Sequence, residues 1–225
     1  MAEASFAVIP GAGSAGLTWR QAAATVAARV LPLPGSGGDV FAMAAELAPA
    51  VAALPEPRVL VGTSVGGMAA IEIARHVPVQ ALVFVAAGFG IKVSDSALQW
   101  LVDNPPDIHQ KLARICVYDR SDQERQALIV ADYEACGQPA HLAQLKAAAT
   151  YRPEPLPDPP PTLVLWGVND RAIPLEDHVE LAKQFRGALV PIADSAHVPF
   201  LEQPQEVVKW LWRAARLAMM GERVG

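Results

Sequence analysis

The sequence predicts an α/β fold, with a mostly parallel sheet flanked by helices and one helical insertion. Three observations in the 225-residue chain carry this. Before residue 90 a strand–loop–helix unit occurs three times with no hairpin signal between units, which calls for helical crossovers and parallel strands. Residues 94–150 then contain only helix-like segments. Strand patterns return at 162–166 and 188–192, so the helical stretch interrupts the sheet and does not end it.

In chain order, residues 6–9 (Phe-Ala-Val-Ile) read as the first strand and break into Pro10-Gly-Ala-Gly-Ser-Ala-Gly16, too rich in small residues for helix or strand. Helix resumes near Thr18. A second strand is expected near 30–33, and Asp39 is placed as N-cap of an Ala-rich helix over 39–54 that should kink or end near Pro49. Residues 58–61 (Arg-Val-Leu-Val) have the β-branched character of a buried parallel strand, and 68–74 the composition of a helix packed on a sheet. Another strand covers 79–86. The insertion reads as helices over 96–102, 108–117, 123–136 and 140–149. Six prolines between 153 and 161 then impose an extended, stiff return strap. After the strand at 162–166, a helix over 175–185 and the strand at 188–192, a helix over about 205–219 closes the chain. It has Val207, Val208, Leu211, Ala215 and Ala218 inward and Lys209, Arg213 and Arg216 in water. The expected division is a core of residues 1–90 and 158–225 with an insertion and strap at 91–157.

Composition narrows the function. Hydrophobic residues make up 52% and charged ones 18%, a core-rich globular balance. The net charge of −5 has no basic block behind it, so no nucleic acid or anionic membrane is expected as partner. Residues 1–10 contain Glu3 and no Lys or Arg and run straight into a strand, unlike a secretory signal. The longest apolar run, 81–91, is too short to span a bilayer. These features lead us to expect a cytoplasmic protein. Cys116 and Cys136 lack metal-type spacing and read as reduced thiols in helices.

Two glycine-rich turns compete for the function. Gly62, Ser64 and Gly66 fill G-x-S-x-G between strand and helix, where a sharp turn holds a serine hydroxyl out over the carboxyl end of the sheet. Strand and helix must cross there almost in contact, so the flanking positions need glycine. Gly11, Gly13 and Gly16 meet the spacing of a dinucleotide fingerprint. That reading lacks the acidic residue expected about 20 positions on at the end of the next strand, where this chain has Pro34-Gly-Ser-Gly-Gly38. It also lacks the Gly-Lys-Ser/Thr of a P-loop. The same loop could instead aim a backbone N–H at a developing oxyanion.

Four motifs, in order, carry a resemblance over nearly the whole chain. They are Ile9-Pro-Gly-Ala-Gly, Gly62-Thr-Ser64-Val-Gly66, Trp166-Gly-Val-Asn-Asp170 and Ser195-Ala-His197-Val-Pro-Phe-Leu-Glu-Gln-Pro204. The sequence resembles the α/β-hydrolase fold superfamily of serine esterase/lipase type, whose Ser, Asp, His order it repeats. It departs from the family pattern at Pro10, where histidine is usual, at Ala196, where glycine is usual, and at Pro32, where aspartate is common. The chain is expected to enter the sheet directly at a core strand, without the usual N-terminal hairpin, which resembles the plant-type methylesterase and hydroxynitrile lyase branch. The Pro-Gly-Ala-Gly loop is also similar to that of polyketide thioesterases.

The resemblance implies that Ser64, His197 and Asp170 are catalytic, with the N–H groups of Ala12 and Val65 as the oxyanion hole and no cofactor or metal. A serine hydroxyl is a poor nucleophile unless an imidazole takes its proton, and a carboxylate behind that imidazole fixes its tautomer. His197 is the histidine in a loop just after a core strand, whereas His76, His109, His141 and His178 fall in helices. Asp158, Asp177 and Asp194 are the rivals of Asp170; family chain order favours Asp170. In the insertion, Leu98, Trp100 and Tyr133 are candidates for an acyl pocket, with core packing as the alternative. The expected activity is hydrolysis of a small or medium carboxylic ester through an acyl-enzyme, by a monomer or homodimer. The alternatives are a thioesterase or carbon–carbon bond hydrolase with the same triad, and a non-catalytic small-molecule binding protein on the same scaffold. A cyanohydrin lyase is disfavoured because that branch has lysine after its histidine, where this chain has Val198.

Overall fold

The computed structural model describes residues 4–221. Glu3, used above against a secretory signal, and the last four residues of the expected core lie outside the described residues. Among the described residues six strands form one sheet: β1 (Ser5–Ile9), β2 (Arg29–Val30), β3 (Arg58–Thr63), β4 (Ala81–Val85), β5 (Thr162–Gly167) and β6 (Ala188–Ile192). Their order is β2-β1-β3-β4-β5-β6, and every neighbouring pair is parallel. The winding reverses between β1 and β3, and in such sheets the crevice beyond the carboxyl ends of the strands at that point is where ligands bind.

Both sheet faces are covered, so the strands are apolar at successive positions. Ala7, Ile9, Leu60, Leu82 and Phe84 pack on one face with α2 (Val40–Ala52), α3 (Val65–Ala74) and α8 (Leu175–Gln184). Phe6, Val8, Val59, Val61, Val83 and Val85 pack on the other with α1 (Arg20–Thr25), which follows a 3-10 turn at Leu17–Trp19, and with α10 (Pro204–Met220). Between β4 and β5 come α4 (Asp95–Asp103), α5 (Ile108–Cys116), α6 (Gln123–Cys136) and α7 (Gln138–Thr150), with no strand among them. Residues 151–161 form no helix or strand, as a proline-rich strap requires. Among the described residues, no helix is long and apolar enough to cross a membrane.

The structure corrects several boundaries. β2 is two residues long, because Pro32 and Pro34 cannot donate to a ladder; the last bond on that edge is from Leu31 N–H to Val8 O at 2.8 Å. α2 runs through Pro49 to Ala52, with Leu47 and Val51 buried on either side of the proline and Ala53 N–H bonded to Pro49 O. Asp39 caps it, accepting from Ala42 N–H at 2.8 Å. α3 starts at Val65, directly after the serine, three residues earlier than the sequence suggested. A short helix, α9 (Pro199–Glu202), was not anticipated.

Candidate active site

Ser64 sits at the junction of β3 and α3 with φ 49° and ψ −120°, a left-handed-region φ that is costly for a residue with a side chain and persists only where packing enforces it. The enforcement comes from two glycines. A Cβ on Gly62 would lie 2.6 Å from Gly67 Cα, which is the strand–helix crossing expected from the motif. A Cβ on Gly66 would lie 2.2 Å from Ile9 O and 2.3 Å from Pro10 O. The second glycine therefore lets α3 rest against the end of β1, joining the strand–helix elbow at Ser64 to the glycine-rich loop.

That loop folds over Ser64 as a β-turn, with Ser14 N–H bonded to Gly11 O and Gly13 at φ 77°, as the third residue of a type II turn requires. Most of its amides are in use. Gly13 N–H donates to Gln144 Oε1 at 2.8 Å; the N–H groups of Ala15, Leu17 and Thr18 donate to the Asp132 carboxylate at 2.8–3.3 Å. The carboxylate stands where a dinucleotide reading would put phosphate. Among the described residues no protein acceptor meets the N–H of Ala12 or of Val65.

His197 follows β6 in the loop before α9, and its backbone N–H donates to Cys116 O at 2.9 Å. Its Nδ1 lies 2.9 Å from Asp170 Oδ2. The other oxygen, Oδ1, accepts from Ala172 and Ile173 N–H at 2.8 and 3.1 Å, so the carboxylate is aimed by the turn after β5. The Asp170 side chain is fully buried, that of His197 14% exposed. Burial works against both charges; the pairing outweighs it, raising the imidazole above its ordinary value and holding the carboxyl below its own. Of the rivals, Asp194 lies exposed in the turn after β6, and Asp177 is in α8.

Glu202 of α9 completes the histidine side. It is buried and accepts from Ala196 N–H at 2.7 Å and from Tyr118 N–H at 2.6 Å, tying the histidine loop to the chain after α5. Burial raises its carboxyl above the ordinary value despite these two donors.

Ser64, His197, Ala12 and Val65 all line one cavity of about 270 Å³, walled mainly by apolar side chains. Tyr133 reaches it, stacked on His141 with ring centroids 4.9 Å apart and its hydroxyl 3.6 Å from Cys116 Sγ. Leu98 and Trp100 do not line it. α4 turns Leu101 into the core and leaves Trp100 39% exposed, with Lys111 Nζ over its ring. Two further cavity groups are chemically quiet. Burial pushes the Cys116 thiol up to about 12, and burial together with His109 brings His141 down to about 4, so both are neutral near pH 7. His141, unlike His197, has no carboxylate partner among the described residues. Also among them, no group of three His, Cys, Asp or Glu side chains is arranged to hold a metal ion, and both cysteines are free.

Asp132, Gln144 and Glu202 are not among the candidates that the sequence offers. Glu202 lies inside the quoted histidine motif, while Asp132 and Gln144 belong to no motif and are joined to the loop only by folding.

A family model described as "Alpha/beta hydrolase family" matches residues 6–210. Among solved structures, a thermophilic esterase from Thermogutta terrifontis with malate bound shares 22% identity and a TM-score of 0.81, over 95% of this chain and 90% of that one. An esterase from Exiguobacterium antarcticum shares 16% identity at TM-score 0.78, over 96% and 93%. The type II thioesterase of the borrelidin biosynthetic cluster shares 20% at TM-score 0.69, over 95% and 93%. At these identities the likeness is one of fold. A search of curated proteins finds no match.

Proposed function

Because the chain belongs to the alpha/beta hydrolase family, we propose that it is a serine hydrolase cleaving a small or medium carboxylic ester through an acyl-enzyme. The observation that carries the reading is the placement of Ser64, on a strained turn, in one cavity with His197, whose far nitrogen is held by Asp170. In this mechanism His197 Nε2 takes the Ser64 proton as Oγ attacks the acyl carbon, and Asp170 stabilises the imidazolium that forms. The N–H groups of Ala12 and Val65 receive the carbonyl oxygen as it becomes an oxyanion. The imidazolium then protonates the leaving alcohol. Water, deprotonated by the same imidazole, releases the acid and restores Ser64. The core of residues 1–90 and 158–225 supplies these groups, and residues 91–157 cap them. The apolar walls suit an acyl group without charge, and Tyr133 is a wall of its pocket.

A thioester is the second substrate class, supported by the likeness to the thioesterase fold and needing no change of triad. An activity panel of p-nitrophenyl esters and acyl thioesters, run with a serine-directed phosphonate probe, tests the reading. Label at Ser64 with turnover of either class supports it, and the better kcat/KM names the class. Intact protein without label or turnover would favour the non-catalytic binding protein.

A further inference from the structure

We propose that Asp132 and Gln144, both outside the triad and oxyanion hole, are positioning residues that hold the glycine-rich loop so that Ala12 N–H is aimed at the reacting carbonyl oxygen. This rests on the serine hydrolase reading. Asp132, on α6, is 2% exposed and accepts five hydrogen bonds from residues 14–18, from the hydroxyls of Ser14 and Thr18 and the N–H groups of Ala15, Leu17 and Thr18. A buried carboxylate needs such compensation, and here all of it comes from a single short stretch of chain. Gln144, on α7, is fully buried. Its Oε1 accepts from Gly13 N–H, and its Nε2 donates to Leu33 O at 2.9 Å and Pro34 O at 3.3 Å, joining the loops after β1 and β2. The loop is thus fixed from both sides of Ala12. On the sheet side, the end of β1 rests on Gly66. On the far side, two helices of the insertion grip every residue from 13 to 18 except Gly16, whose N–H bonds Ser14 Oγ.

An oxyanion donor works because it is already oriented before charge develops, so loosening its loop should weaken transition-state binding more than substrate binding. A plain structural staple would lower stability and leave each folded site as active as before. The experiment compares Asp132→Ala, Asp132→Asn and Gln144→Leu with wild type on p-nitrophenyl butyrate, well below each melting temperature and normalised to titrated active sites. A short alkyl trifluoromethyl ketone serves as second readout, since its serine adduct carries an oxyanion. We expect Asp132→Ala to lose about a hundredfold in kcat, near the loss of a whole donor, with KM almost unchanged and the ketone Ki raised in proportion. Asp132→Asn keeps Oδ1 for Ala15 and Leu17 and should lose about tenfold, as should Gln144→Leu. If Asp132→Ala does not fold, the Asn variant carries the test. An active wild type whose variants keep kcat and ketone affinity, and lose only thermal stability, overturns the positioning role alone. A wild type that neither turns over the ester nor binds the ketone overturns the hydrolase reading, and this role with it.

Discussion

The elbow carrying Ser64 and the glycine-rich loop lie side by side, yet they are held in place by opposite means. At Ser64 the constraint is missing side chains: Gly62 and Gly66 let backbone meet backbone at distances no Cβ could tolerate. In the loop the constraint is added side chains, Asp132 and Gln144, reaching in from helices more than a hundred residues later. The first device is local in sequence and leaves a readable pattern. The second is made by the tertiary fold and leaves none.

The comparison is sharpest where the chemistry is largest. Ser64→Ala or His197→Ala should each cut turnover on the order of a million-fold, with the double variant little worse, since triad members act as a unit. Steady-state kinetics on a folded, CD-checked protein measures this; substantial turnover in Ser64→Ala would remove the elbow from the chemistry. Next comes Asp170→Asn, at roughly ten-thousand-fold. Its pH profile is the finer probe. In the proposed mechanism the base is neutral His197, and the Asp170 charge raises that imidazole, so kcat/KM in the wild type should climb through a limb above the ordinary histidine value. Removing the charge should move the limb to lower pH. A limb that stays put would mean Asp170 does not act on His197.

Ala12→Pro deletes the N–H proposed to meet the oxyanion while suiting its place as second residue of the turn. Turnover should fall about a hundred- to a thousandfold with KM changed far less. A loss confined to KM would show the loop binds substrate without meeting the oxyanion. Gly66→Ala tests the elbow's own constraint. Its methyl meets two backbone oxygens, so we expect about 3 kcal/mol of destabilisation in chemical denaturation. Unchanged stability would mean that α3 and β1 do not touch there. The smallest effect belongs to the insertion's surface: Trp100→Ala should leave kcat/KM within about twofold, as is usual for an exposed side chain outside the cavity lining, whereas Tyr133→Ala opens the cavity wall. Equal losses in the two variants would put Trp100 at the substrate.

What the sequence revealed follows the same division. Strands announce themselves through β-branched runs, and the elbow through glycines at fixed offsets. α6 matched its expected bounds, residues 123–136, because Asp122 caps it at one end and Gly137 stops it at the other. β2 was overread because a run of apolar residues with prolines looks like a strand until the missing N–H groups are counted. Trp100 and Tyr133 looked alike in sequence, as large aromatic residues on insertion helices. Which of them reaches the cavity depends on which face each helix turns to the core, and packing decides that. Asp132 was invisible because a mid-helix aspartate reads as solvated until its five donors are brought to it.

The most direct test is to trap the covalent intermediate. Wild-type protein mixed with p-nitrophenyl butyrate and acid-quenched within milliseconds should gain the mass of one butyryl group per chain, located by peptide mass spectrometry on Ser64. Hydrolysis proceeding with no adduct in the wild type, or with the acyl group on another residue, would contradict it.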